Sequence, residues 1–141
     1  MILISACLAG VNCKYDGGNN YNEKIMELVR NGDAILVCPE QLGGLTTPRT
    51  PSEIKIVNGI RCVFMEDGRD VTKEYERGAN EVLNLAKSLN INKAILKAKS
   101  PSCGCGIIYD GTFTKTKISG NGITSQLLLN NGIEVITEED I

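Results

Sequence analysis

With 141 residues, 42% of them hydrophobic and 23% charged, the chain has the length and composition of one globular domain with a real core, not of a disordered or fibrous protein. A net charge of -2 argues against a general nucleic-acid binder, which needs a basic face to displace counterions, and no apolar run approaches the ~20 residues of a membrane span. Met1 leads straight into Ile2-Leu3-Ile4 without a basic leader, so the expected location is the cytoplasm.

The chain opens on Ile2–Cys7, a continuous apolar run that reads as a buried strand. A helix is expected near Asn22–Arg30, with Ile25, Leu28 and Val29 on one face and Asn31-Gly32 as its stop. Ala34–Cys38 is a second buried strand. Pro39–Ser52, with three prolines and two glycines, reads as a long ordered loop. Glu53–Val57 and Ile60–Met65 flank Asn58-Gly59, a strong hairpin signal. Asp70 is placed to cap a long helix whose stripe is Val71, Tyr75, Ala79, Val82, Leu83, Ala86 and Leu89. Ala94–Ala98 is a third core strand, Gly122–Asn130 another helix, and Ile133–Thr137 a final strand; Tyr109–Phe113 reads as a turn. Continuous apolar strands separated by helices predict an α/β fold: one domain over residues 1–141, with a mainly parallel, Rossmann-like sheet flanked by helices and a small β-hairpin excursion.

The chain has no histidine, which removes the commonest general base and the commonest zinc ligand, and it has six cysteines. In a reducing compartment clustered cysteines read as metal-binding or catalytic instead of disulfide-bonded. Cys7 and Cys38 end the first two strands, and Cys103 follows the third within Ser100-Pro101-Ser102-Cys103-Gly104. The carboxyl ends of parallel strands share one edge, where open α/β folds bind ligands, so these three are the candidate ligands of one site. No C-x-x-C knuckle is present for zinc, and a cube of iron and sulfur held by only three thiolates leaves one iron open as a soft Lewis acid. Cys13 is the first substitute within that triple. Cys62 reads as core, on a face with Ile60 and Phe64, and the alternation around Cys105 does not decide its role.

Glu40, two residues beyond Cys38, is the acid–base candidate; a solvated or helix-capping glutamate is the competing reading. Ser100 and Ser102 can hydrogen-bond a substrate or cap a turn around Pro101. Arg49 and Glu53 can pair to hold the long loop or stand exposed. Lys93, Lys97, Lys99, Lys115 and Lys117 read as a solvated face.

Ser5–Gly17 (SACLAGVNCKYDG), Cys38–Glu53 (CPEQLGGLTTPRTPSE), SPSCG at 100–104, IYDGTF at 108–113 and the Gly120–Gly132 segment together resemble the thiouracil desulfidase family over almost the full chain. The resemblance implies a [4Fe–4S] cluster with three cysteine ligands and one open iron, non-redox removal of sulfur from a small thiolated pyrimidine such as 2-thiouracil, and catalytic roles that fall on Glu40 and Ser100. Its ligand assignment is carried onto Cys7, Cys38 and Cys103 by the strand-end argument. The alternative is a sulfur carrier that hands cluster-bound sulfide to a transfer partner, for instance in tRNA thiolation. A fully ligated redox module and a zinc-stabilised binding domain are further rivals.

Overall fold

The computed structural model describes the whole chain, Met1–Ile141. Four parallel strands, β1 (Ile2–Ser5), β2 (Ala34–Val37), β5 (Lys93–Leu96) and β8 (Glu134–Thr137), form one sheet in the order β2-β1-β5-β8. In register, Ile2–Ser5 lie against Ala34–Val37, Leu3 and Ile4 against Ala94 and Ile95, and Lys93–Leu96 against Glu134–Thr137. Side chains alternate across this sheet. Leu3, Val37, Ala94, Leu96 and Val135 face α3 (Thr72–Ser88) and α4 (Ile123–Asn130), joining Val82, Leu83, Ala86 and Leu128 in the largest core. Ile4 and Ile95 point the other way, onto Leu8 and onto Ile25 of α1 (Glu23–Arg30). No helix is long and apolar enough to cross a membrane.

Two antiparallel pairs stand outside the sheet. β3 (Ser52–Val57) and β4 (Ile60–Met65) form the hairpin expected around Asn58-Gly59. Its inner face, Ile54, Val63 and Met65, packs with Val71, Tyr75 and Ile108 into a second core over the start of α3. Cys62 lies on the other face with the exposed Ile60 and is half-buried, so the expected core role for it is not met. The second pair, β6 (Ile107–Tyr109) with β7 (Lys117–Ser119), was not expected. Its strands are three residues long, too short to leave a periodic pattern.

Two boundaries shift where the chemistry lies. β1 stops at Ser5, and Cys7 sits in a 3₁₀ turn, Ala6–Ala9, bonded back through Gly10 N–H to the Ala6 and Cys7 carbonyls. The expected Pro39–Ser52 loop begins with a one-turn helix, α2 (Pro39–Leu42), with Pro39 at its first position, where a missing N–H costs nothing. α2 lies directly on α3: a Cβ on Gly43 would stand 1.9 Å from the Glu74 carbonyl oxygen, and one on Gly78 2.0 Å from that of Pro39.

β1 connects outward to β2, and the chain then returns past β1 to place β5 on its other side. The order reverses between β1 and β5, and at such a switch point the carboxyl ends of the strands open a crevice. Ser5 Oγ accepts a hydrogen bond from Lys97 N (2.9 Å), joining the two strand ends just below the opening.

Candidate functional site

The crevice is a cavity of about 630 Å³ walled by the chain just beyond β1, β2 and β5. Cys7, Cys13, Cys38 and Cys103 all line it, together with Glu40 and Ser100. Cys62 and Cys105 do not; the Cys105 thiol points at the Val135 carbonyl oxygen (3.6 Å) instead.

The surroundings push the four thiols in different directions. Hydrogen bonding from Cys13 lowers the Cys7 thiol to about 7 against the resistance of burial, with help from Asn20. The same donor lowers the Cys38 thiol, again against burial. Cys13, buried and in contact with both, is driven upward by those same interactions, and the Cys38 thiol also lies 3.8 Å from the Cys13 carbonyl oxygen. Burial also pushes Cys103 well up, and the carboxylate of Glu40 adds to it. The downward shifts at Cys7 and Cys38 favour the thiolate form that metal ligation needs, whereas Cys103, raised by burial, would lose its proton only to the bound group itself. No three Cys, Asp or Glu side chains are spaced to hold a single metal ion. Four cysteines around one cavity make a soft, sulfur donor set of the kind that suits iron–sulfur clusters or zinc.

Glu40 is carried into the cavity by the first turn of α2, and the side chain is only 13% exposed. Burial raises its carboxyl above the ordinary range, while the Arg49 guanidinium 3.6 Å away partly offsets this. Arg49 is itself fixed, donating to the carbonyls of Cys13 (2.9 Å) and Thr46 (3.3 Å) and to Thr47 Oγ1 (2.9 Å). It does not pair with Glu53. The Glu53 carboxylate instead accepts from Gly111 N (3.0 Å) and Phe113 N (3.2 Å), holding the 110–116 loop beside the cavity, where Phe113 and Lys115 form part of the wall.

The two serines separate cleanly. Ser102 is fully buried and shares a hydrogen bond with Thr124 Oγ1 (2.8 Å), away from the cavity. Ser100 lines the cavity, and its Oγ accepts from both Ser102 N and Cys103 N (3.1 Å each). With its acceptor capacity taken up by the turn that carries Cys103, the hydroxyl proton is left to donate outward. Capping and substrate contact, rivals in the sequence, are thus compatible at Ser100.

Three features were not legible beforehand. Lys97, Lys99 and Lys115, expected on a solvated face, line the cavity; Lys97 and Lys99 are held by Glu138 (2.8 Å) and Glu139 (2.9 Å). Tyr75, read as one member of the α3 stripe, is 3% exposed yet also reaches the cavity wall. Burial and the nearby Glu40 carboxylate push its hydroxyl upward, so it stays protonated and able to donate. Ser52, also in the wall, carries the one buried side-chain oxygen or nitrogen with no hydrogen-bond partner. Such an orphan costs about 1–3 kcal/mol in a protein interior.

Known proteins resemble the chain over nearly its whole length. The 2-thiouracil desulfurase family model matches residues 2–140. A Bacillus subtilis (strain 168) protein, the uncharacterized protein YbbK, is 45% identical over 147 residues, covering 100% of this chain and 97% of its own. Among solved structures, the [4Fe-4S]-dependent thiouracil desulfidase TudS superposes with a TM-score of 0.91 at 42% identity, covering 99% of this chain and 91% of that one.

Proposed function

The chain belongs to the 2-thiouracil desulfurase family, and on that premise we propose that it is a [4Fe–4S]-dependent desulfidase converting a thiolated pyrimidine to its oxo form with release of sulfide. The observation that carries this reading is the meeting of Cys7, Cys38 and Cys103 with Glu40 and Ser100 in one cavity at the sheet's switch point. Cys7, Cys38 and Cys103 are the proposed ligands. When bound, the cluster supplies an iron without a protein ligand, a soft Lewis acid suited to a thione sulfur.

The protein's own groups supply the rest. The cavity takes the pyrimidine, shielding it from bulk water. Glu40, whose carboxylate stays inside a mostly buried wall, accepts a proton from the water that attacks the thione-bearing ring carbon, and returns it as the C–S bond breaks. Ser100 donates its free O–H to the base or to the tetrahedral centre, oriented by the two backbone amides it caps. Cys13, whose thiol is pushed upward by its Cys7 and Cys38 neighbours, is assigned to support those two sulfurs without being a ligand. A buried carboxylate and an oriented hydroxyl favour this hydrolytic reading over a sulfur carrier, which has no use for either.

Glu40→Gln tests the assignment. The variant is expected to retain the iron content and visible absorption of the parent while its turnover of 2-thiouracil falls by about 10²–10⁴, the usual worth of a general acid–base group. Full activity in a cluster-loaded Glu40→Gln protein removes the role assigned to this carboxylate.

A further inference from the structure

Ser52 stands where a β-strand facing a core should present carbon. On β3 it shares the inner face with Ile54, whose side chain packs among Val63, Met65, Val71 and Tyr75. Ser52 is 9% exposed on that face, and its Oγ finds no protein partner. Alanine or valine would satisfy the packing without an unmet hydroxyl, so packing does not account for serine here. The same side chain lines the cavity, and Tyr75, from the first turns of α3, brings a second hydroxyl to that wall. The Ser52 hydroxyl is near enough to Tyr75 to influence its proton, but the two make no bond of hydrogen-bonding geometry. Neither group has a part in the proton transfers assigned to Glu40 and Ser100.

Soft affinity for sulfur does not distinguish one thione from another. What marks a thiouracil is the amide-like edge of its ring, an N–H beside an exocyclic carbonyl. A hydroxyl can accept from the first and donate to the second. A wall that carries a buried hydroxyl lacking a good protein partner rejects a ligand that cannot complete it far more strongly than an apolar wall does. We infer that the Ser52 and Tyr75 hydroxyls form a specificity subsite that reads the N–H and carbonyl edge of the pyrimidine. The inference rests on the desulfidase reading for the identity of the ligand, and it assigns positioning, not proton transfer, to both residues.

The test uses cluster-loaded protein prepared without oxygen, as parent, Ser52→Ala and Tyr75→Phe. Steady-state constants are measured for 2-thiouracil and for pyrimidine-2-thione, which lacks the carbonyl, alongside calorimetric binding of uracil and thermal melting. Ser52→Ala is expected to raise KM for 2-thiouracil and Kd for uracil by about tenfold, with the loss concentrated in KM and little change for pyrimidine-2-thione. Its melting temperature should equal or exceed the parent's, because the orphan hydroxyl is gone; a merely structural serine would give the opposite. Tyr75→Phe should show the same substrate pattern. Unchanged KM and Kd in both variants, or equal losses with both thiones together with a lower melting temperature, overturns the subsite. Should no thiopyrimidine be turned over while Ser52→Ala still weakens uracil binding, the desulfidase reading falls and the subsite stands. Turnover of 2-thiouracil with KM and uracil binding untouched in both variants has the reverse meaning.

Discussion

Cys13 is pushed upward where Cys7 and Cys38 are pushed downward, and this asymmetry separates residues that look alike in the sequence. Spacing brings Cys7 and Cys13 into a single motif, and in the sequence only the strand-end argument puts Cys7 ahead. The contacts of Cys13 with both Cys7 and Cys38 are a fact of folding. We expect Cys7→Ser, Cys38→Ser and Cys103→Ser each to lose iron and visible absorption on anaerobic purification, and Cys13→Ser to keep most of both. Iron retained by Cys103→Ser and lost by Cys13→Ser would exchange their roles. Glu40 was a candidate from its place beside Cys38, whereas Ser100 was carried over from the family resemblance, and only the fold puts Ser100 and not Ser102 in the cavity wall. Ser52 and Tyr75 were not candidates. Tyr75 obeys the apolar period of α3, and only the fold reveals that this residue also forms part of the cavity wall.

Elements with a period were readable from sequence and elements without one were not. The sheet strands, the helices α1, α3 and α4 and the Asn58-Gly59 hairpin carry repeating apolar patterns or a turn signal. The one-turn α2 and the three-residue strands β6 and β7 offer neither. Pro39 and Gly43-Gly44 read as loop, although Pro39 starts a helical turn and Gly43 permits contact with α3. Gly78 gives the sharpest test at this scale. In the interior of a 17-residue helix, glycine to alanine ordinarily gains about 1 kcal/mol. Here the added methyl would meet the Pro39 carbonyl oxygen at 2.0 Å, so α2 must move away, carrying Cys38 and Glu40 with it. Gly78→Ala should therefore destabilise by about 1–3 kcal/mol in chemical denaturation, with reduced cluster loading. A stabilised Gly78→Ala protein would show that the α2–α3 contact does not set the position of the Cys38 turn. Gly122 has a comparable part at the Cys103 turn, where a Cβ would stand 2.4 Å from the Ser102 carbonyl oxygen.

On the scale of the whole molecule, the strand order decides the site. With β5 on one side of β1 and β2 on the other, three segments far apart in sequence deliver their first residues beyond the sheet to the same opening. Sequence alone supported a parallel sheet, and with it a shared carboxyl edge. It did not supply the order β2-β1-β5-β8, because no local pattern encodes which strand lies beside which. The family match and the superposition on TudS agree with that architecture across nearly the whole chain. The most direct measurement incubates the iron-loaded protein with 2-thiouracil in the absence of oxygen, external reductant and external oxidant, and quantifies both products. Uracil and sulfide are expected to accumulate in equal amounts over many turnovers. A strict requirement for an electron donor, or no uracil from protein carrying its full iron and sulfide, would contradict the account.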